Sequence, residues 1–128
     1  MTMNYPLDLI FQLNFTKLMT LIILIFERIN MIIVLAKITS KDGMKDKILG
    51  ETDTLIKATR AEDGCIEYNL YEPVDSENVL LFVEKWEGKE FLEAHIQQDH
   101  FIKFGEAIGD YLAKDLEISV YSSEEIEL

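Results

Sequence analysis

From Met31 onward the hydrophobic positions switch between a period of two and a period near 3.6, and each switch marks an element. Met31 to Thr39 (MIIVLAKIT) sets Ile32, Val34, Ala36 and Ile38 on one face and Ile33, Leu35 and Lys37 on the other, the alternation of a mostly buried strand. Ser40, Asp42 and Gly43 supply a turn. Met44, Ile48, Leu55 and either Ala58 or Thr59 then recur at helical spacing, predicting a helix through Arg60. Asp63-Gly64 marks the return into a strand over Cys65 to Glu72, with Ile66, Tyr68 and Leu70 on one face and Pro73 as its stop. Val79 to Glu87 (VLLFVEKWE) begins apolar on both faces, as expected of a strand covered on each side and paired with its predecessor as a hairpin. Gly88 breaks it. Lys89 to Ala94 reads as a short helix, Phe101, Phe104, Ile108 and Leu112 as the face of a longer one, and Asp115 to Tyr121 as a closing strand with Leu116, Ile118 and Val120 inward.

The order strand, helix, strand, strand, helix, strand predicts an α+β domain of the ferredoxin-like kind over residues 31–122, a four-stranded antiparallel sheet with its helices on one face. Residues 123–128 are then an acidic, frayed tail. Helices on one side leave Ile33, Leu35, Tyr71, Leu81 and Val83 on or near the other, a patch that a second copy is expected to cover through a twofold axis, giving a homodimer.

Residues 1–30 differ in kind. Leu18 to Phe26 (LMTLIILIF) is apolar but only nine residues long, against the roughly 20 a spanning helix needs. A secretory signal would want a basic start and a small-residue cleavage site, and neither is present. Asp8, Lys17, Glu27 and Arg28 cancel, so the net charge of −12 belongs wholly to residues 31–128. With a clean strand opening at Met31, the expectation is that translation begins there and the preceding segment is an extension outside the fold; a peripheral membrane or partner-binding helix is the alternative.

The acidic balance, 12 Lys and Arg against 24 Asp and Glu, argues against nucleic acid and against an anionic membrane surface. Cys65 is the only cysteine, which excludes an internal disulfide and a multi-thiolate metal site and points to a reducing cytoplasm. It reads as a small apolar strand residue.

The chemistry concentrates in Glu84-Lys85-Trp86-Glu87-Gly88-Lys89-Glu90-Phe91-Leu92-Glu93-Ala94-His95, followed by Gln98-Asp99-His100-Phe101. This stretch resembles the signature of the antibiotic biosynthesis monooxygenase family, specifically its quinol monooxygenase branch. Glu62-Asp63-Gly64-Cys65-Ile66-Glu67-Tyr68 is similar to the family's turn into its second strand, so the resemblance covers residues 31 to about 122. It implies a homodimer of the dimeric α/β barrel type, a pocket between sheet and helices, and oxidation of quinols or polyphenols by dioxygen with no metal or flavin cofactor. Haem-degrading enzymes, an isomerase and small proteins without known activity share the fold, which leaves the reaction open.

Under that resemblance Trp86 matches the family's pocket tryptophan, a flat wall with an N–H donor for an aromatic substrate; the alternative is a core or interface anchor. His95 matches the family's histidine, whose imidazole can take a phenolic proton near neutral pH; the alternative is a histidine bonded to backbone. Phe82, Tyr68, Phe101 and Phe104 are candidates for the pocket lining or for plain core, and His100 for a substrate contact. Five helical steps rotate about 140°, so on one continuous helix His95 and His100 would share no face, which argues against a two-histidine metal site. A haem site is disfavoured because the haem-degrading branch carries an asparagine on strand one where this chain has Ala36 and Lys37. The expectation is therefore a cytoplasmic, cofactor-independent monooxygenase with a small aromatic or quinol-like substrate, His95 as base and Trp86 as wall. The rivals are a non-redox isomerase of a small carbonyl compound and a non-catalytic dimeric ligand-binding or stress-associated module.

Overall fold

The computed structural model describes residues 14–29 and 31–128. Its elements are α1 (Phe15–Ile29), β1 (Met31–Thr39), α2 (Lys45–Arg60), β2 (Cys65–Tyr71), β3 (Val79–Trp86), α3 (Lys89–His95), α4 (Asp99–Ile108), a 3₁₀ turn (Gly109–Tyr111) and β4 (Glu117–Ser123). The strands form one antiparallel sheet in the order β2-β3-β1-β4. This is the ferredoxin-like α+β arrangement expected from the hydrophobic pattern.

The reading of residues 1–30 as lying outside the fold falls, for 1–13 and Asn30, outside the described residues. Within them, Asn14 starts α1 by accepting the Lys17 N–H on Oδ1 at 2.9 Å. Along α1, Phe15, Leu18, Met19, Leu21, Ile22 and Ile23 are all exposed. No helix among the described residues is long and apolar enough to cross a membrane.

Strand alternation lays parallel rows of side chains across the helix-covered face. Pairing of Tyr68 with Glu84, Glu84 with Val34 and Val34 with Val120 makes one row; Leu70, Phe82, Ala36 and Ile118 make the next. On β3 every second residue is buried, Leu80, Phe82, Glu84 and Trp86, which join Ile32, Val34 and Ile38 of β1 as the sheet side of the core. Ile48 and Leu55 of α2 and Phe104 and Ile108 of α4 close it from above. On α2, Thr59 rather than Ala58 is the buried residue of the last turn.

Three expectations are corrected. Ile66 is 46% exposed, because the register slips between Cys65 and Glu67 and the bulge pushes the extra residue out of the alternation. The helix meant to end near Leu112 stops at Ile108; Leu112 leaves the 3₁₀ turn and bridges Ser40 as extended chain. The closing strand starts at Glu117 and extends through Ser122 and Ser123, which pair with Ile32 and Met31, so the strand runs past Tyr121 and Ser123 belongs to the sheet and not to the tail. Ile118 and Val120 do lie on the helix side by register, yet both are half exposed because the helices stop short of this edge strand.

The turn from α2 into β2 is built around Gly64 at φ +76°. Arg60 anchors its upstream end, donating from Nε to the Tyr68 carbonyl at 3.1 Å and from Nη2 to Asn69 Oδ1 at 2.9 Å. The Glu87 N–H donates to the Gly64 carbonyl at 2.8 Å. A Cβ at Gly64 would overlap the Phe91 ring in addition to straining the left-handed backbone. Gly64→Ala is therefore expected to destabilise the domain by about 2 kcal/mol or more, read as a lower denaturant midpoint. An unchanged midpoint would mean that the turn is not held as described.

Candidate active site

An apolar cavity of about 80 Å³ lies between sheet and helices. Its floor is the two side-chain rows, Tyr68, Glu84 and Val34 beside Phe82, Ala36 and Ile118, with Ile38. Leu92, His95 and Ile96 come from α3 and its exit, Phe101, Phe104 and Gly105 from α4, and Leu116 precedes β4. Half-exposed Ile96 and Ile118 form the rim. The volume is about half the roughly 150 Å³ of an apolar cavity that takes benzene, so an aromatic ring enters only if the rim side chains turn aside.

His95 is the one imidazole in the wall, and it is held on several sides. Its ring centroid lies 4.8 Å from that of Trp86, 5.0 Å from Phe101 and 5.5 Å from Tyr68. Nδ1 sits 2.6 Å from Glu62 Oε2. A carboxylate oxygen accepts, so Nδ1 carries the hydrogen and Nε2 keeps its lone pair. Nε2 is buried and has no hydrogen-bond partner among the described residues. Burial lowers the His95 pKa below its ordinary value, against the opposing pull of Glu62, and favours the neutral, basic ring.

Glu62 also receives His100, whose Nε2 donates to the same Oε2 at 2.9 Å. The break between α3 and α4 makes this possible. The Gln98 N–H closes a turn on the His95 carbonyl at 3.0 Å, Gln98 adopts an extended conformation, and a new helix starts at Asp99. The 140° separation of a continuous helix therefore does not apply, and the geometric objection to the two histidines acting together falls. Glu62, His95 and His100 offer three donor atoms within 4.8 Å of one another, the cluster among the described residues with the composition to hold a metal ion.

Glu84 lies in the cavity floor, buried, and accepts the Trp86 Nε1–H on Oε2 at 2.9 Å. Burial pushes its carboxyl up to about 7; the Trp86 hydrogen bond opposes this and the Glu62 charge adds to it. Burial, with Glu84 and Glu62, likewise holds the Tyr68 phenol protonated. Cys65, half-buried, is pushed up to about 11 by burial and by Glu62 and Glu84, which makes it an inert thiol.

Of the residues expected to form the site, Tyr68, Phe82, His95, Phe101 and Phe104 line the cavity together. Trp86 does not: it is fully buried one layer behind, where it supports His95 and orients Glu84. His100 is not in the wall either, but on the far side of Glu62 from the cavity-lining His95. Sequence reasoning missed Glu62 and Glu84 as site residues. Glu84 carried a signal, since an acidic residue shares the inward parity of Phe82 and Trp86.

The antibiotic biosynthesis monooxygenase family model matches residues 31–107. The chain belongs to that family. Among curated relatives of this family member, a Synechocystis protein, sll1783, is 35% identical over 96 residues, 75% of this chain and 65% of its own length. The chain thus spans just under two thirds of that relative. A Bacillus subtilis protein named "Putative monooxygenase YcnE" is 34% identical over 74 residues, covering 58% of this chain and 78% of YcnE. Among solved structures, a conserved protein from Methanosarcina mazei superposes with a TM-score of 0.73 at 29% identity, over 78% of this chain and 99% of its own.

The buried Glu84 carboxyl gives a stability test. With a folded pKa of about 7 against an ordinary 4.5, the folded protein keeps a proton that the unfolded chain loses in that interval. The corresponding stability is full below 4.5 and lost as pH rises through 7. Glu84→Gln still offers Trp86 an acceptor and never ionises. Its stability relative to the parent is expected to grow between pH 5 and 7 and level off above, by on the order of 2 kcal/mol. Thermal unfolding across that range checks it; a flat difference would place the Glu84 titration elsewhere.

Proposed function

We propose that this chain is a cofactor-independent monooxygenase that oxidises a small quinol or polyphenol with dioxygen, with His95 as its base. The observation that carries the reading is the His95 ring: Nδ1 is committed to Glu62 at 2.6 Å, and Nε2 is left as a buried acceptor, without a partner among the described residues, on a cavity-lining residue. A phenolic O–H entering an apolar cavity needs such an acceptor, and a desolvated neutral imidazole is matched to it. Tyr68, Phe82, Phe101 and Phe104 supply the flat contacts for a ring.

The chemistry balances without a further reductant. Nε2 takes the phenolic proton, and the electron-rich quinolate passes one electron to dioxygen. The semiquinone and superoxide combine at a ring carbon, forming a C–O bond and, with a proton, a hydroperoxide. That carbon still carries its hydrogen, so the O–O bond breaks with loss of water and leaves a carbonyl. One quinol and one dioxygen become one hydroxyquinone and one water. The proton for the departing hydroxide returns from His95 or from Glu84, both on the cavity wall.

The open sheet face supports the expectation of a homodimer. Ile33, Leu35, Leu81 and Val83 are only partly covered there, flanked by exposed Tyr71 and Tyr121. A second copy packed sheet to sheet would bury that apolar stripe symmetrically and in the same step steady the floor of each cavity. A small acidic domain of this kind fits the cytoplasm.

A second reading is favoured by one observation: His95 and Glu84 place two proton-transfer groups on one cavity. That pair also suits a non-redox isomerase shifting a proton along a small carbonyl compound. Dioxygen consumption separates the two, and a product of unchanged mass identifies the isomerase.

An oxygen-electrode screen of chelator-treated protein with reduced quinones tests the function directly, and no substrate-dependent uptake by a folded protein would overturn the monooxygenase. Given uptake, His95→Ala is expected to lower turnover roughly 10²-fold or more with the dimer intact. The rate should fall on the acid side as His95 protonates, and the variant should lose that limb; an unchanged rate and profile would remove His95 from the mechanism. Residues 31–122 alone are expected to sediment as a dimer and Leu81→Glu to dissociate it, since its carboxylate would be buried unpaired.

A further inference from the structure

We propose that Glu62, His95 Nδ1 and His100 Nε2 form a binding site for a divalent first-row metal ion, with the chemistry of zinc, on the side of His95 turned away from the cavity. Two imidazole nitrogens and one carboxylate, with a fourth position left to water, are a donor set that zinc takes in open tetrahedral sites. The three residues come from three elements, the turn after α2, the last residue of α3 and the first turn of α4, yet their donor atoms lie within 4.8 Å of one another. Tetrahedral bonds of about 2.0–2.1 Å set donors roughly 3.3 Å apart. Here Nδ1 and Nε2 stand 2.6 and 2.9 Å from Glu62 Oε2 and would each draw back from it by about half an ångström to admit an ion, while the two nitrogens, within 4.8 Å of one another, settle to the same spacing.

The surroundings favour occupancy. The aromatic rings around His95 fix its orientation, so little freedom is lost on binding. Exposure rises outward along the cluster, from 1% at the His95 side chain to 11% at Glu62 and 19% at His100, which opens the site to solvent on its outer side. The net charge of −12 draws cations toward the surface.

Binding has a chemical consequence for the cavity. A metal on Nδ1 displaces the Nδ1 hydrogen, and a neutral ring must then carry its proton on Nε2. The atom assigned above as base becomes a donor, so the ion switches the base off. This consequence rests on the proposed function; the binding itself does not.

The test uses the full chain, stripped with chelator and titrated with Zn²⁺ by calorimetry, with histidine ring nitrogens followed by NMR. One ion per chain is expected, at micromolar affinity or tighter, with shifts at His95 Nδ1 and His100 Nε2. Glu62→Gln and His100→Ala should each weaken binding about 10²-fold, at or beyond the roughly 10–100-fold typical of partners outside the coordination sphere. Cys65→Ser should leave it unchanged. No binding by the parent protein, or equal affinity in His100→Ala, would overturn the site, the latter result assigning the ion to surface carboxylates. Should a variant misfold, the parent spectra decide: perturbation that spares both ring nitrogens overturns the proposal. In the activity arm Zn²⁺ should lower quinol-dependent oxygen uptake and chelator restore it. Bound zinc with undiminished turnover overturns the switch, whereas bound zinc in a protein that never consumes dioxygen upholds the site and removes the monooxygenase.

Discussion

The candidate site hangs on one carboxylate oxygen. Glu62 Oε2 accepts from His95 at 2.6 Å and from His100 at 2.9 Å, and through the first of these bonds it fixes the tautomer of the only imidazole that lines the cavity. Remove that acceptor and no other hydrogen bond among the described residues decides which ring nitrogen carries the proton. Much of the local architecture serves to deliver this oxygen. Arg60 pins the end of α2 to β2, Gly64 turns the chain sharply, and the Glu87 N–H clasps the turn to the end of β3.

The sheet contributes by register. Because paired strands set side chains in rows, Glu84 is held between Tyr68 and Val34 in the cavity floor, and two residues along the same strand Trp86 reaches back to hydrogen-bond it. A buried carboxyl in an apolar cavity costs stability unless neutral or bonded; Glu84 is bonded by Trp86, and burial pushes it up to about 7. The same burial thus moves the two groups in opposite directions, the His95 imidazole below its ordinary pKa and the Glu84 carboxyl above its own.

Much of the fold was legible in the residues because strand and helix periods are local. β1 and β3 follow their alternation residue by residue, and α2 ends at Arg60 as its spacing predicts. What escaped was set by tertiary geometry. The bulge that expels Ile66 arises from pairing with β3, and the departure of Leu112 from helix follows from its bridge to Ser40. The aromatic members of the cavity could be named from spacing, but its polar members could not. Glu62 lies more than thirty residues from His95, and no local pattern joins them. The histidine pair misled for a related reason: rotation per residue is defined only within one helix, and the chain breaks between them.

Cys65 is half-buried within the field of Glu62 and Glu84, and that setting bears on durability. Peroxide attacks the thiolate and not the thiol, and a group pushed up to about 11 carries almost no thiolate at neutral pH. Burial, with the negative field of Glu62 and Glu84, therefore acts as a built-in antioxidant for the first residue of β2, keeping its sulfur from conversion to a sulfenic acid.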